Sequence, residues 1–451
     1  PCASRGFVGP GAGAFDFSID GASRPDHGLL EIWLEINRRA EMRALLLGLC
    51  YAARGRAAAT AAPRLALDRA STPTVVIPGI DKGGTGDAYA FLVTHLNLAA
   101  GRKKEPACAN RAPARHRITA CRQCYRATYG CDKGDCPPSI DATPNYLWRY
   151  LGKNATNATV PPYSLLYRAR EPAAMLSAVA PRAAVVVLLR NPVARIVSLH
   201  NHWTRLGMGV GNEERLRLRL GPNVSDHVEL ELAYMADKTS RQRLRVLLSD
   251  DIKIGDAPRV AAYAALHAGL GKWVAKERPA RCGAVAGPAA RERWPPSRKD
   301  CPVAVSFLAT SLYAPLLRHW VAHFDPANVA VVQSEAYYAD RNALLALFPA
   351  SSPDLSGRAA LVTAAPPSRR RTFDAARYRH KGTYHETLST NLARSLHGFF
   401  EVPNAALRMF LRAWPGRRGL VVPDPSDAGT WWEAGAALPD AAAPAVATTP
   451  R

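Results

Sequence analysis

The chain has 451 residues, and 48% of them are hydrophobic, which is ample for a large folded core. Its 59 Lys and Arg against 37 Asp and Glu give a formal net charge of +22. Such an excess indicates either an anionic partner or, because Ala, Arg, Gly and Pro are all abundant, a compositional bias that leaves much of the arginine on solvated surface. No stretch reaches the length of a membrane-spanning helix, so the sequence does not indicate an integral membrane protein.

The N-terminal region has the pattern of a secretory signal. The chain opens on Pro1 rather than Met, and Met42-Arg43 precedes the mostly apolar run 44–53. A short basic segment followed by such a run has the dimensions of a signal peptide. We therefore expect translation to start at Met42, with 1–41 an upstream, non-native segment and 42–72 a signal-peptide-like segment and linker. An amphipathic helix over 29–53 is the alternative.

Strands and helices alternate along the rest of the chain. Short apolar or β-branched runs predict strands at 73–78, 183–189 and 328–333. Helical spacing of apolar residues predicts helices near 87–97, 165–180, 311–324, 344–348 and 386–413. This alternation predicts an α/β fold over 73–423, with a central parallel sheet and helices on both faces. The Pro-, Ala- and Asp-rich residues 424–451 are expected to form a disordered tail.

Residues 106–140 are rich in Cys, Arg and Pro and predict a loop inserted into this domain. We expect disulfides here and later in the chain, and the candidates are Cys108, Cys121, Cys124, Cys131, Cys136, Cys282 and Cys301. Their pairing cannot be read from sequence. Four thiolates around Cys121-x-x-Cys124 leave a zinc site as the less favoured alternative.

Glycosylation acceptors are the second sign of an oxidising compartment. The Asn-x-Ser/Thr triplets begin at Asn154, Asn157 and Asn223. Each triplet is a weak signal alone, because such triplets occur by chance. Clustered cysteines and acceptor triplets together predict the secretory pathway.

A glycine-rich turn follows the first predicted strand and reads Ile80-Asp-Lys-Gly-Gly-Thr-Gly86. Glycines let the backbone turn tightly and present N–H groups to a phosphate, and the N-terminus of the following helix adds its dipole. The turn is not a Walker A loop, because the order G-x-x-x-x-G-K-[ST] is absent. We predict a phosphate site here, with an ordinary loop as the alternative; its residues are Lys82, Gly83, Gly84, Thr85 and Gly86.

A second candidate site begins where the strand 183–189 ends. Arg190 lies at the carboxyl end of this strand, where open α/β sheets bind ligands, and Ser198 lies about two turns into the next helix. An arginine and a serine so placed can share one phosphate, through a forked donor and a hydroxyl. The alternative is that Arg190 caps the helix in an ion pair and Ser198 is a packed small residue.

These motifs carry a resemblance to a known family. Lys82-Gly-Gly-Thr85 resembles the 5′-phosphosulfate loop of sulfotransferases that use 3′-phosphoadenosine 5′-phosphosulfate (PAPS), and Leu189-Arg-Asn-Pro-Val-Ala-Arg-Ile-Val-Ser198 resembles their 3′-phosphate element. The likeness is strongest to the heparan-sulfate and chondroitin-type Golgi enzymes and their algal relatives. Further segments follow the family's order over roughly 73–413: Arg102-Lys-Lys-Glu-Pro106, Asp141-Ala-Thr-Pro-Asn-Tyr146, Ser311-Leu-Tyr313, Val331-Val-Gln-Ser-Glu335 and Arg379-His-Lys-Gly382.

The resemblance implies a P-loop-like three-layer sandwich as the fold and the Golgi lumen as the location. It also implies an enzyme that transfers a sulfuryl group from PAPS to a hydroxyl or amine of a carbohydrate. Lys82 would stabilise the departing phosphate and Glu105 would act as general base, with Asp141 in reserve. The donor would also contact Lys381 and Gly382. No metal and no nucleic-acid partner are expected.

Three other functions remain open. An inactive sulfotransferase-like protein is one, since the residues after Glu105-Pro106 depart from the family. A basic protein that binds acidic glycans or nucleic acid accounts for the net charge, but leaves the two phosphate motifs without a role. A P-loop kinase is less favoured, because it requires the missing Walker A loop.

Overall fold

The structure, a computed structural model, describes residues 72–101, 103–111, 117–131, 136–148, 172–208, 223–249, 256–277, 306–348, 388–414, 421–423 and 432. Several sequence-based expectations fall elsewhere. The upstream segment 1–41, the signal-like segment up to 71, and nearly all of the tail lie outside these ranges. So do several single candidates: Cys282, Cys301, Asn154, Asn157, Lys381 and Gly382.

Six strands within the described ranges form one parallel sheet. They are β1 (Val75–Val76), β2 (Ala99–Ala100), β3 (Ser139–Asp141), β4 (Ala184–Leu189), β5 (Val329–Gln333) and β6 (Val421–Val422), and they lie side by side in the order β2-β3-β1-β4-β5-β6. Every neighbouring pair is parallel, and β4 and β5 form the longest pairing, from Val185 opposite Val329 to Leu189 opposite Gln333. The predicted parallel α/β sheet is therefore confirmed.

Helices connect the strands, as parallel strands require. In chain order they are α1 (Thr85–His95), α2 (Cys108–Arg111), α3 (Arg117–Tyr129), α4 (Pro172–Val179), α5 (Pro192–Met208), α6 (Val224–Ala236), α7 (Lys238–Leu248), α8 (Asp256–Glu277), α9 (Tyr313–Val321), α10 (Ser334–Ala339), α11 (Asn342–Leu345) and α12 (Thr390–Ala413).

Both faces of the sheet are packed against helices. All six side chains of β4 are buried, which explains why its sequence is continuously apolar rather than alternating. Val186 and Leu188 belong to one hydrophobic cluster, together with residues of α1 and α11. Val185 and Val187 belong to another, which includes residues of α4, α5, α9 and α12. The sheet thus separates two apolar cores, and its carboxyl edge is left for polar residues.

The segment 106–140 is not the plain loop expected from its composition. Its described parts contain α2, α3 and the start of β3. Cys121 and Tyr125, one turn apart on α3, are both 0% exposed and supply the buried stripe of a packed helix. Loop-like composition misled here because cysteine and tyrosine, not aliphatic residues, form the apolar face.

Two disulfides secure this segment: Cys108–Cys124 and Cys131–Cys136. Cys121, expected among the bonded cysteines, is instead a buried free thiol. It lies one turn from Cys124 on the same helix, and Cys124 is already paired. The disulfides are consistent with a secretory or extracellular protein. Within the described ranges, no helix is long and apolar enough to cross a membrane.

Candidate functional site

Four polar segments meet at the carboxyl edge of the sheet. The turn after β1 contains Lys82, Asp141 ends β3, Arg190 follows β4, and Ser334 follows β5. Because these strands are parallel neighbours, their carboxyl ends lie on one side, where open α/β sheets bind ligands.

The turn after β1 contains two positions, 83 and 84, at which the backbone favours glycine. An added Cβ at Gly83 would lie 2.8 Å from the Leu188 carbonyl oxygen and 2.9 Å from that of Ile80. Gly84, at the start of α1, has φ of +89°, which glycine adopts at no steric cost. Lys82 adopts the left-handed φ of +66°, an uncommon conformation for a residue with a side chain. The backbone of this turn therefore lies close to the carboxyl edge of the sheet, directly before α1.

The two predicted phosphate elements contact each other. Arg190 Nη1 donates to the Lys82 carbonyl oxygen at 3.2 Å. Ser334 Oγ donates to the Gly83 carbonyl oxygen at 2.6 Å, and Tyr313 Oη to that of Arg190 at 2.8 Å. Lys82 and Arg190 are both partly exposed, so their charges can reach a ligand. The structure thus unites motifs that lie 108 residues apart.

Thr85 and Ser198 are the two hydroxyl residues among the candidates, and both are buried. Thr85, which begins α1, is 5% exposed, and Ser198 on α5 is 3% exposed. Gly86, by contrast, is partly exposed. The partly exposed donor side chains at the edge are therefore those of Lys82 and Arg190, while the two hydroxyls are buried.

The Asn-Pro sequence after Arg190 explains how α5 begins there. Asn191 Oδ1 accepts from the backbone N–H groups of Val193 and Ala194 at 3.0 and 3.2 Å, and Pro192 is the first helical residue. Asn191 N–H in turn donates to Glu335 Oε1 at 2.8 Å. Burial raises the pKa of the Glu335 carboxyl, and this backbone hydrogen bond opposes the rise.

Arg195, a residue of the second motif to which sequence assigned no role, braces the turn. Its side chain is fully buried, and Nε donates to the Asp81 carbonyl oxygen at 2.9 Å. Nη1 donates to Thr310 Oγ1 at 3.1 Å and to Ser311 Oγ at 2.6 Å. Burial lowers the pKa of this guanidinium. Its hydrogen-bond acceptors among the described residues are all neutral oxygens, and through the Asp81 carbonyl oxygen Arg195 fixes the segment that carries Lys82.

The segment that accepts hydrogen bonds from Arg195 is itself bound by a buried carboxylate on α6. Glu231 is 0% exposed and accepts from Ser306 Oγ at 2.6 Å. It also accepts from the backbone N–H groups of Phe307 and Leu308 at 2.7 and 2.8 Å. Residues 306–311, here called the anchor turn, therefore link α6 to the turn after β1.

The candidate base Glu105 lies in a segment fastened to the end of β3. Ala142 N–H donates to the Lys104 carbonyl oxygen at 3.3 Å, and Ala107 N–H donates to Thr143 Oγ1 at 3.2 Å. The nearby Cys108–Cys124 disulfide adds a covalent link. The Glu105 carboxylate is 44% exposed and lies 2.7 Å from Lys104 Nζ, so it is present at the edge as one half of an ion pair.

Asp141, the reserve candidate, is enclosed by hydroxyl groups. It is 0% exposed, and its carboxylate accepts from Tyr125 Oη at 2.7 Å, Thr143 Oγ1 at 2.6 Å and Tyr146 Oη at 3.0 Å. Burial raises its pKa to about 6, although all three hydrogen bonds act in the opposite direction. Its position favours a structural role, which joins α3 to the sheet.

Asn223, the glycosylation candidate that the structure describes, caps α6. Its Oδ1 accepts from the Asp226 N–H at 2.7 Å, and its Nδ2 donates to Asp226 Oδ2 at 2.8 Å. The exposed side chain both accepts and donates a hydrogen bond.

Trp432, the described residue of the predicted disordered tail, has its ring 5.8 Å from that of Tyr313.

Neither a search for metal-binding groups among the described residues nor comparison with known proteins assigns a function to the site. Among the described residues, no three His, Cys, Asp or Glu side chains are grouped to hold a metal ion. In comparisons of the chain with protein-family models, curated proteins and solved structures, none matched. The site therefore rests on its own geometry and on the motif resemblance.

Proposed function

We propose that this protein is a sulfotransferase that uses PAPS as donor and a carbohydrate hydroxyl or amine as acceptor, in a P-loop-like α/β fold and in the Golgi lumen. The observation that carries the proposal is the hydrogen bond from Arg190 to the Lys82 carbonyl oxygen. It joins a strand–turn–helix phosphate loop to an arginine at the end of the adjacent strand, as a ligand with phosphates at both ends requires.

The residues at this edge fit a bisphosphate. The N–H groups in the first turn of α1, which follows Gly83 and Gly84, have no intrahelical partners and can receive a 5′-phosphate. Lys82 adds a charge beside it, and Arg190 offers a forked donor for a 3′-phosphate. When bound, PAPS would supply an activated sulfuryl group. Ser198 is buried and supports the 3′-phosphate role less well than Arg190 does.

The protein's part in such a transfer is to position, to stabilise charge and to move one proton. Lys82 and the turn amides would stabilise negative charge on the leaving phosphate. The motif resemblance assigns the proton to Glu105, which the hydrogen bonds to 142–143 hold at the same edge.

A second candidate function, a basic protein that binds acidic glycans, has one observation in its favour. Arg122 and Arg126 are both exposed on α3, in a chain with a formal net charge of +22. Such binding needs no phosphate loop, so it leaves the contact between Arg190 and Lys82 without a purpose.

Calorimetry with adenosine 3′,5′-bisphosphate (PAP) tests the proposal on the full chain. We expect wild type to bind PAP with micromolar affinity, and Lys82→Ala and Arg190→Ala each to weaken it by about tenfold or more, because each removes a charge-assisted phosphate contact. Adenosine 5′-monophosphate, which lacks the 3′-phosphate, should bind wild type more weakly than PAP does. Arg190→Ala should abolish that preference, whereas Lys82→Ala should keep it.

The matched control is Arg126→Ala, which removes one exposed arginine from α3. It should leave PAP affinity within about twofold, since an exposed charge that does not contact the ligand is largely screened by salt. A folded wild type that does not bind PAP would contradict the proposal.

A further inference from the structure

Asp81 is a carboxylate inside the phosphate turn, directly before Lys82. The residue is partly exposed, and burial is the largest influence on the pKa of its carboxyl group, which it raises. Trp148 Nε1 donates to Asp81 Oδ2 at 2.7 Å, and Arg195 holds the Asp81 carbonyl oxygen at 2.9 Å. Both backbone and side chain of Asp81 are therefore fixed. Negative charge beside a predicted phosphate site costs binding energy, so its presence calls for a role.

The second carboxylate oxygen of Asp81 is available. In the described part of the chain, Oδ1 has no hydrogen-bond donor, whereas Oδ2 is held by the indole. Among the described residues, three charged groups face this carboxylate: Arg195 from α5, and Lys104 and Glu105 from the segment before α2. Burial raises the pKa of Asp81 and the Glu105 charge adds to this rise, while Arg195, the indole N–H and Lys104 lower it. A fixed carboxylate with one open oxygen and a raised pKa has the properties of a general base.

Glu105 has fewer of these properties. Its carboxylate is 44% exposed and lies 2.7 Å from the ammonium group of Lys104. The carboxylate of Glu105 is therefore already engaged by the ammonium group of a neighbouring residue. Asp81 is also joined through one peptide bond to Lys82, the residue proposed to contact the transferred group.

We propose that Asp81, rather than Glu105, is the general base of the sulfuryl transfer, an inference that rests on the proposed function. The acceptor hydroxyl oxygen forms a bond to sulfur, and its proton passes to Asp81 Oδ1. The bond between sulfur and the bridging oxygen of the donor breaks, and its electron pair stays on the 5′-phosphate of PAP, beside Lys82. Trp148 holds Oδ2 so that Oδ1 faces the acceptor.

The test uses water as the acceptor, since PAPS hydrolysis to PAP and sulfate needs no identified carbohydrate. Full-length wild type, Asp81→Asn and Glu105→Gln are compared in sulfate release across pH, and PAP affinity is measured in parallel. Asp81→Asn should slow release by about 100-fold or more while PAP affinity stays equal or rises. Glu105→Gln should slow release by less than about tenfold. Wild-type release should increase as pH rises through the Asp81 pKa, and this limb should be missing in Asp81→Asn.

Trp148→Phe keeps the aromatic ring and removes the N–H donor to Oδ2. Because that hydrogen bond lowers the Asp81 pKa, its loss should move the limb of the pH profile to higher pH. This variant also tests the inference if Asp81→Asn fails to fold, and an unmoved limb would then overturn it.

Other outcomes separate the two proposals. Release by Asp81→Asn within about threefold of wild type, or a loss in Glu105→Gln as large as about 100-fold, would overturn the role of Asp81. Wild type that binds PAP but releases no sulfate above the buffer rate would overturn the assigned base and leave the donor site standing. Wild type that does not bind PAP would overturn the proposed function and this inference with it.

Discussion

Asp141 is a buried residue whose protonation state bears directly on stability. It is fully buried, and its pKa in the folded protein is about 6, against 3.8 for an unperturbed aspartate. A raised pKa means that the folded state binds the proton more tightly than the unfolded chain does. Stabilisation by the protonated form is therefore complete below about pH 3.8 and is lost as pH rises through about 6.

We expect Asp141→Asn to remove this pH dependence. Relative to the variant, wild type should lose up to about 3 kcal/mol of its free energy of unfolding as pH rises from 4 to 8. Urea denaturation at several pH values measures this difference, and taking the difference cancels the titration of other groups. A constant difference across the range would show that Asp141 has an ordinary pKa.

At the same scale, local sequence patterns reveal some site residues and hide others. Lys82 and Arg190 could be predicted because each follows a recognisable buried strand in a parallel sheet. Asp81 and Arg195 lie in the same motifs, but their partners are Trp148, Thr310 and Ser311, 67 to 116 residues away. Contacts over such separations arise from the tertiary fold, so no periodicity announces them.

At the scale of elements, the anchor turn is the connection between α6 and the phosphate turn. Glu231 accepts three hydrogen bonds from the anchor turn. The anchor turn also supplies two hydroxyl oxygens that accept hydrogen bonds from Arg195. All of these groups are buried. The connection is thus polar, fully enclosed and intolerant of a missing partner.

Glu231→Ala should destabilise the protein by about 3–5 kcal/mol, because it leaves one hydroxyl and two backbone N–H groups buried without their acceptor. Folded variant should also bind PAP more weakly than wild type, because Arg195 loses a fixed partner. Chemical denaturation and calorimetry measure the two effects. Glu229→Ala on the exposed face of the same helix is the control and should change stability by less than about 0.5 kcal/mol. Equal effects of the two substitutions would refute the anchoring role.

The same scale shows where sequence patterns sufficed for secondary structure. Strands β4 and β5 and helix α12 could be predicted, since each has a continuous or periodic apolar pattern. Helix α3 could not, because its sequence has few aliphatic residues and its buried face consists of Cys121 and Tyr125. Strand β3 could not either, since three residues give too short a pattern.

For the whole molecule, the net charge of +22 and the phosphate turn lead to different responses to salt. A diffuse positive surface attracts any polyanion by releasing counterions, and that attraction falls steeply as salt is added. A built site adds directed hydrogen bonds from the turn amides and from Arg190, which depend less on salt. Heparin, as a polyanion probe, and PAP can therefore be compared on the same protein.

Between about 50 and 200 mM salt, heparin affinity should fall by about 1000-fold, as expected when six or more charges are neutralised. PAP affinity should fall by less than about tenfold over the same range, because PAP carries few charges. Arg190→Ala should weaken PAP binding at every salt concentration and leave heparin binding nearly unchanged, since it removes one of 59 basic residues. Calorimetry at four or more salt concentrations gives both slopes. Equal slopes, with Arg190→Ala affecting neither ligand, would instead identify a general binder of anions and leave the phosphate turn as structure alone.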